Sequence, residues 1–391
     1  MNILMMAPQF PPIMGGVATR SYESAKSLAK MGEQVTVLTM APKADSSRAN
    51  HNGVNVISVK WLSKIVGLGI FGFMVKIIVF FLYGMYIVKA RKVDLIYSTL
   101  IDVGLSSMII SKLFGTPYFL AIHGAEVTNP RGISKKWIQL VLRNASALTI
   151  LANRQRVSLL KLGVSDEKIC LIPEGIDIDK FNLTIRHQEI VSRFDLDGKK
   201  VILTVGRLIE RKGHDMVIKS LPRVLDKVPE AIYLIVGIGA EEQNLRELGE
   251  GLGLEDKVIF AGFVPDEDVP KYYSASDVFI MPSREIGEKD IEGFGLVFLE
   301  ANACGKPVIG GKSGGISDAV ADGVSGILVD PLNVDEISQA LITLLSNEEL
   351  AVKLGSQGRK RVEEQFSDPA TAEKFSEILG NVKLSKKSAD R

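Results

Sequence analysis

The sequence predicts an α/β chain with two doubly wound parallel sheets. Short continuous apolar runs alternate with helical stretches along the whole length. The series occurs twice, and a polar segment of weak periodicity at 179–199 separates the halves. A length of 391 residues, at about 150 per domain, leaves room for two or three domains.

The first series has strand candidates at Ile3–Ala7, Gln34–Met40, Val54–Val59, Asp94–Thr99, Pro117–His123, Ala147–Ala152 and Lys168–Pro173. These runs are apolar on both faces, as parallel strands covered by helices must be. Gly15-Gly16-Val17 opens a helix with Ala18, Tyr22, Ala25, Leu28 and Ala29 at helical spacing, and Gly32 stops it. The second series runs Lys200–Gly206, Ala231–Gly237, Lys257–Phe263, Asp277–Pro282, Lys306–Gly310 and Gly326–Asp330. Pro369–Leu384 reads as a helix with no strand after it. The domains expected are 1–183, 184–368 and a C-terminal helix and tail over 369–391.

Composition narrows the function. Hydrophobic residues make up 46% and charged residues 24%, which excludes general disorder. The 47 basic and 46 acidic residues leave a net charge of +1, so a nucleic-acid partner held by bulk charge is not expected. Two cysteines, Cys170 and Cys304, exclude a disulfide scaffold and a four-cysteine zinc site. The four histidines stand far apart, and the Asp-x-Asp triplets at Asp177, Asp195 and Asp266 read as turn and cap residues, so no metal is expected.

Ligands of such sheets bind beyond the carboxyl ends of the strands, so the loops there carry the candidates. Gly15 and Gly16 follow strand one, where a glycine pair at a helix start serves either a tight turn or close approach to an anion. They do not form the G-x-G-x-x-G dinucleotide fingerprint. His123 ends a strand candidate, as a structural histidine or as one directed at a ligand. Arg207 and Lys212 flank the end of the first strand of the second half, where two cations suit a diphosphate. Glu292 and Glu300 are eight residues apart, with Gly293, Phe294, Gly295 and Leu296 between them. A helix running through that interval would separate the two carboxylates by about 12 Å. Apolar neighbours around Glu300 require that its carboxylate be paired or hydrogen-bonded. Gly314-Gly315 offers a further glycine pair.

Taken in order, these pieces resemble the retaining glycosyltransferases of family 4, of the GT-B fold. The resemblance rests on Gly15-Gly16-Val17, His123-Gly124, Pro173-Glu174-Gly175-Ile176-Asp177, Gly206-Arg207-Leu208 with Lys212-Gly213, Glu292 through Glu300, and Gly314-Gly315. Pro282–Gly315 is also similar to bacterial phosphatidylinositol-mannoside mannosyltransferases that use GDP-mannose. The resemblance implies two facing Rossmann-like domains, with the C-terminal helix returning to the first. It implies that Arg207 and Lys212 neutralise the departing diphosphate, Glu300 binds ribose, and Glu292 and His123 contact the donor sugar. Gly15 and Gly16 would lie near phosphate, and Val264 near the nucleobase. Gly293, Phe294, Gly295 and Leu296 complete the donor segment, and no cofactor is required. The reaction implied is hexose transfer, mannose from GDP-mannose, to a lipid-linked or saccharide acceptor. The alternatives are a UDP-sugar donor, a nucleotide-sugar epimerase of the same fold and a non-catalytic sugar-nucleotide-binding module. The Glu292–Glu300 pair with Arg207 and Lys212 favours transfer. Glu174, where many relatives have asparagine, departs from the pattern, and so does Asp318, where glutamate is usual.

Mean hydropathy is +0.18, and residues 65–88 are the local cause. The run has the length and apolarity of a membrane span. It lies, however, between two strands of the first series, and a span would part them. Gly67, Gly69, Gly72 and Gly84 are expected to weaken one continuous helix. The reading is one or two helices that dip into a bilayer surface, with Lys76 among the cations facing anionic lipid, and the alternative is burial inside the domain. The N-terminus lacks the basic region of a secretory signal. The location expected is therefore cytoplasmic, peripheral on the inner face of the cell membrane.

Overall fold

The computed structural model describes residues 1–13, 16–41, 53–123, 127, 132–173, 175–182, 187–287 and 290–389. Side chains at 66, 132–134, 381 and 383–389 are not described. Gly15, Gly124 and Glu174, singled out above, lie outside the described residues. The chain forms two compact units, Met1–Gly175 with Pro369–Arg391, and Ile176–Asp368. The division falls between residues 175 and 176 rather than 183 and 184.

Unit one holds β1 (Asn2–Met6), β2 (Gln34–Thr39), β3 (Val54–Ser58), β4 (Leu95–Ser98), β5 (Tyr118–Ala121), β6 (Ala147–Ile150) and β7 (Ile169–Leu171). They form one sheet in the order β3-β2-β1-β4-β5-β6-β7, with every pair parallel. Both faces are apolar because alternate side chains of each strand enter different cores. Ile3 and Met5 of β1 pack with Ala25 and Leu28 of α1 (Gly16–Lys30). Leu4 and Met6 pack with Val79 and Phe80 of α2 (Gly69–Arg91) and with α3 (Ile101–Phe114) and α4 (Gly132–Asn144).

Unit two holds β8 (Lys200–Val205), β9 (Ala231–Val236), β10 (Val258–Gly262), β11 (Val278–Met281), β12 (Val308–Gly311) and β13 (Gly326–Val329). Their order is β10-β9-β8-β11-β12-β13, again parallel throughout. Its helices include α5 (His214–Leu225) and α6 (Leu296–Ala303). The last helix, α7 (Asp368–Ala389), belongs to unit one from Pro369 onward. Phe375 of α7 meets Tyr97 edge-on at 6.0 Å, and Thr371 donates to the Pro173 carbonyl at 3.2 Å.

Sheet order creates one reversal in each unit, between β1 and β4 and between β8 and β11. Such a reversal splays the loops at the carboxyl ends and opens a crevice for ligand. The candidate loops are the ones beside these two points.

The apolar run corrects the expectation that its glycines would break it. Gly67 and Gly69 separate a short turn, Ser63–Val66, from α2, but α2 then runs 23 residues through Gly72 and Gly84. Gly84 persists in the helix because a Cβ there would press on the ends of Met6 and Ile110. The small residue lets α2 lie close to β1. Gly72, Lys76, Val79, Phe80, Gly84, Ile87 and Val88 form the buried stripe. Lys76 is therefore not on a lipid-facing side, since it is buried and ion-paired with Asp102 of α3. By length and composition α2 is apolar enough to cross a membrane, and a third of its most apolar stretch is buried. It joins β3 to β4 of the same sheet, and Asn2 at the start of β1 donates to the Arg91 carbonyl at its end (3.1 Å). Gly84→Leu is expected to overpack this contact by about 1–3 kcal/mol, more than the roughly 1 kcal/mol that losing a helical glycine contributes. Its urea midpoint should fall. An unchanged midpoint would mean that α2 does not pack closely on β1.

Candidate functional site

The two loops beside the reversal in unit two are tied together by charge. After β8, Gly206 to Gly213 form a turn whose Glu210–Lys212 segment is one turn of 3-10 helix. After β11, Pro282 to Gly295 lead into α6. Lys212 Nζ donates to Glu292 Oε2 at 2.7 Å. Arg211, which sequence reasoning missed, donates to the same oxygen through one guanidinium arm and to Asp290 Oδ1 through Nε at 2.7 Å. Arg211, Lys212 and Glu292 side chains are only 8%, 11% and 13% exposed. Burial alone pushes the Glu292 carboxyl up, but Lys212 and Arg211 outweigh it and hold the group below its ordinary value. Burial lowers Lys212 despite the help of Glu292. Arg207 is exposed and close enough to repel the Lys212 charge.

Two glycines make this closeness possible. Gly213 has φ +75°, and a Cβ there would fall on the Pro282 carbonyl. Gly314 has φ +59°, and its Cβ would fall on the Glu292 carbonyl. The amide of Gly315 donates to that same carbonyl at 3.0 Å, which fixes the Glu292 backbone.

The helical link between the two glutamates is corrected. α6 begins only at Leu296, because Gly295 takes φ +91° and cannot continue a helix backwards. Glu292 stands on the loop and Glu300 on the helix. Glu300 accepts from the Tyr273 hydroxyl at 2.8 Å, and burial pushes its carboxyl up. Tyr273 is 27 residues away, and no local pattern marks it. The Phe294 ring is buried against Phe366, with centroids 5.9 Å apart, which leaves its backbone to face a ligand. Gly293 is exposed, Leu296 is half-buried, and Val264 is buried two residues beyond β10.

In unit one, Gly16 is the first residue of α1, and a Cβ there would meet nothing within 4 Å. Nothing described therefore requires a glycine at Gly16. His123 lies two residues past β5, and its Nε2 bonds the Thr99 carbonyl after β4 at 2.7 Å. A carbonyl only accepts, so Nε2 carries the proton. Arg20 of α1, also missed from sequence, is buried and donates to the Ile122 carbonyl at 2.8 Å. Burial first, then the Arg20 charge, push His123 down to about 3, so its ring is neutral. His214, at the start of α5, is pushed down to about 4 by burial and by Lys212. Among the described residues no group of three His, Cys, Asp or Glu side chains is placed to hold a metal.

Both imidazoles bind protons more readily in the unfolded chain. Stability is therefore expected to fall as pH drops from about 6.5 toward 4, by up to about 1.4 kcal/mol per pH unit for each ring. Urea titrations at pH 7, 6 and 5 check this. A double variant, His123→Asn with His214→Asn, should show a flatter dependence than the parent. Equal slopes would contradict two neutral buried rings.

Residues 15–175 match the family described as glycosyl transferase 4-like domain, and residues 187–361 match glycosyl transferases group 1. A GDP-mannose-dependent alpha-(1-6)-phosphatidylinositol monomannoside mannosyltransferase of Mycolicibacterium smegmatis is 38% identical over 193 residues, which cover 48% of this chain and 50% of the relative. The chain thus matches about half the length of that curated relative. A glycosyltransferase crystal structure from Rickettsia africae superposes with TM-score 0.82 at 23% identity, covering 97% of this chain and 98% of the other. An Anabaena protein, Alr3699/HepE, in complex with UDP superposes with TM-score 0.76 at 22% identity, covering 97% and 100%. With two parallel sheets of this order and two adjoining domain matches along most of its length, the chain belongs to the GT-B glycosyltransferases.

Proposed function

We propose that the protein is a retaining glycosyltransferase that moves a hexose, mannose from GDP-mannose, to a lipid-linked acceptor at a membrane surface. The observation that carries this reading is the buried Lys212–Glu292 pair at the β8/β11 reversal, with Arg207 exposed beside it. Transfer breaks the bond between the anomeric carbon and the diphosphate oxygen, and the electron pair leaves on that oxygen. The acceptor hydroxyl oxygen forms the new bond to the anomeric carbon, and its O–H bond breaks, the proton passing to the departing diphosphate oxygen. The main task is to stabilise charge growing on the diphosphate, and preplaced cations in a partly dry site do this. Arg207 and Lys212 serve there, Glu292 contacts the sugar, and Glu300 with Tyr273 behind it receives the ribose hydroxyls. His123, neutral and fixed by Thr99, is the other proposed sugar contact.

The mannose donor draws support from the mycobacterial relative's name, and the UDP-bound Anabaena neighbour makes a UDP-sugar the alternative. Membrane association draws support from α2. Its outer face exposes Ile70, Phe71, Met74, Ile78, Leu82 and Tyr86, five of them spaced four residues apart along the helix, and an exposed apolar run of this kind suits a membrane contact. α2 ends beside the start of β1, so its first turns lie toward the carboxyl ends of the strands, the end that carries His123. Exposed Lys60, Lys64, Lys135 and Lys136 lie near that end in sequence and suit anionic headgroups. The acceptor then presents its polar head to the site while its chains stay in the bilayer.

Purified protein incubated with GDP-mannose or UDP-glucose, with and without anionic liposomes, tests both parts. GDP release from GDP-mannose is expected, and Lys212→Ala should lower it by about 10²–10³-fold while remaining folded. Undiminished release in that variant would remove Lys212 from the phosphate site, and failure to bind any sugar nucleotide would end the transferase reading. In a flotation assay the protein should rise with anionic liposomes, and Ile70→Asp with Phe71→Asp should stay at the bottom. Parent protein that does not float would place the acceptor in solution.

A further inference from the structure

Glu292 Oε2 is held by two cations of different kinds. Lys212 reaches it with a single flexible ammonium. Arg211 reaches it with a planar fork that is anchored at a second point, Nε on Asp290. The Arg211 carbonyl also accepts from the Arg284 amide of the β11 loop at 2.8 Å. Arg284 in turn donates to Asp215 at the start of α5 at 2.8 Å. Arg211 is thus fixed by side chain and backbone to the loop that carries Glu292, whereas Lys212 is fixed only by the carboxylate.

A diphosphate arriving beside Arg207 carries more negative charge than one carboxylate and competes for the mobile ammonium. If Lys212 were the only partner of Glu292, its departure would leave a mostly buried carboxylate unpaired, which is strongly unfavourable. We propose that Arg211 is a positioning residue that keeps the Glu292 carboxylate in place when Lys212 leaves it for the donor diphosphate. This rests on the glycosyl-transfer reading above and adds a division of labour between adjacent cations: Lys212 exchanges partners, and Arg211 does not. The charged groups around Glu292 are Arg211 and Lys212 directly, Asp290 through Arg211, and Arg207 and Glu300 through Lys212. His214, next to Lys212, is neutral.

The test compares the parent with Arg211→Gln, Arg211→Lys and Asp290→Asn. Turnover and KM for GDP-mannose are measured from pH 3.5 to 9, a range that reaches below the ordinary carboxylate value, and GDP affinity by calorimetry. For Arg211→Gln, kcat should fall about 10²-fold through misplacement of Glu292. GDP affinity should change less than about threefold, because no phosphate contact is lost. The acid limb of the kcat profile, which reports the donor-bound enzyme, should move up by about one pH unit, because Glu292 loses the cation that still holds it after Lys212 has left. Arg211→Lys should recover part of kcat and part of the limb. Unchanged kcat, or a lower kcat with the limb unmoved, overturns the proposal. A loss of GDP affinity as large as the loss of kcat also overturns it, since Arg211 would then be a phosphate ligand. If Arg211→Gln does not fold, Asp290→Asn decides: the limb should move in the same direction with a smaller loss of kcat, and no movement refutes the role. The Glu292 carboxyl is also titrated by carbon-13 NMR in the donor-free protein, assigned with Glu292→Gln. Its titration should move up in Arg211→Gln whether or not any sugar nucleotide is turned over. This separates failure of the Arg211 role from failure of the transferase reading.

Discussion

The contact on which the site in unit two depends is the shared Glu292 carboxylate. A carboxylate buried without partners costs several kcal/mol, so its two cations are a condition of its being there. By meeting them it joins the β8 loop to the β11 loop. Those loops can meet only because β8 and β11 are neighbours, with Ile202 beside Val278. Thr204 of β8 donates to the Ile280 carbonyl at 2.5 Å and reinforces the same seam. Gly213 then removes a Cβ that would hold these loops apart, and Gly314 removes one that would push the loop after β12 off the Glu292 backbone. Sheet order, glycine placement and ion pairing all serve one small cluster, and under the proposed function an anionic donor would compete for it.

Unit one is organised around a different constraint, the close approach of an almost wholly apolar helix to a sheet. The buried stripe of α2 fills one core face, and Lys76 finds Asp102 instead of solvent. That leaves an outer face that is still apolar. A soluble core helix usually turns polar residues outward, so the second face needs another explanation. The proposed membrane contact would supply one, and the helix direction puts its first turns at the same end of the sheet as His123.

Much of this was legible in the sequence, for physical reasons. Parallel strands covered on both faces are short continuous apolar runs, and all thirteen appear within two residues of their expected ends. Loops follow strands, so Arg207, Lys212, Glu292 and His123 were placed at carboxyl ends from order alone. Pairing between strands was not legible, because any apolar run can sit beside any other, and the two reversals follow only from the pairing. Tyr273 behind Glu300 and Arg20 behind His123 are tertiary partners with no spacing rule. The helical link from Glu292 to Glu300 failed because the backbone at Gly295 overrode the residue count. The glycines of α2 misled in the opposite sense, since packing against Met6 outweighed their low propensity.

In the proposed mechanism Lys212 stays on Glu292 only until a diphosphate takes it. A crystal structure with GDP bound tests this most directly. The Lys212 ammonium is expected on a phosphate oxygen and off Glu292, with Arg211 still bridging Glu292 and Asp290. A bound diphosphate with the Lys212–Glu292 pair intact at 2.7 Å would contradict it.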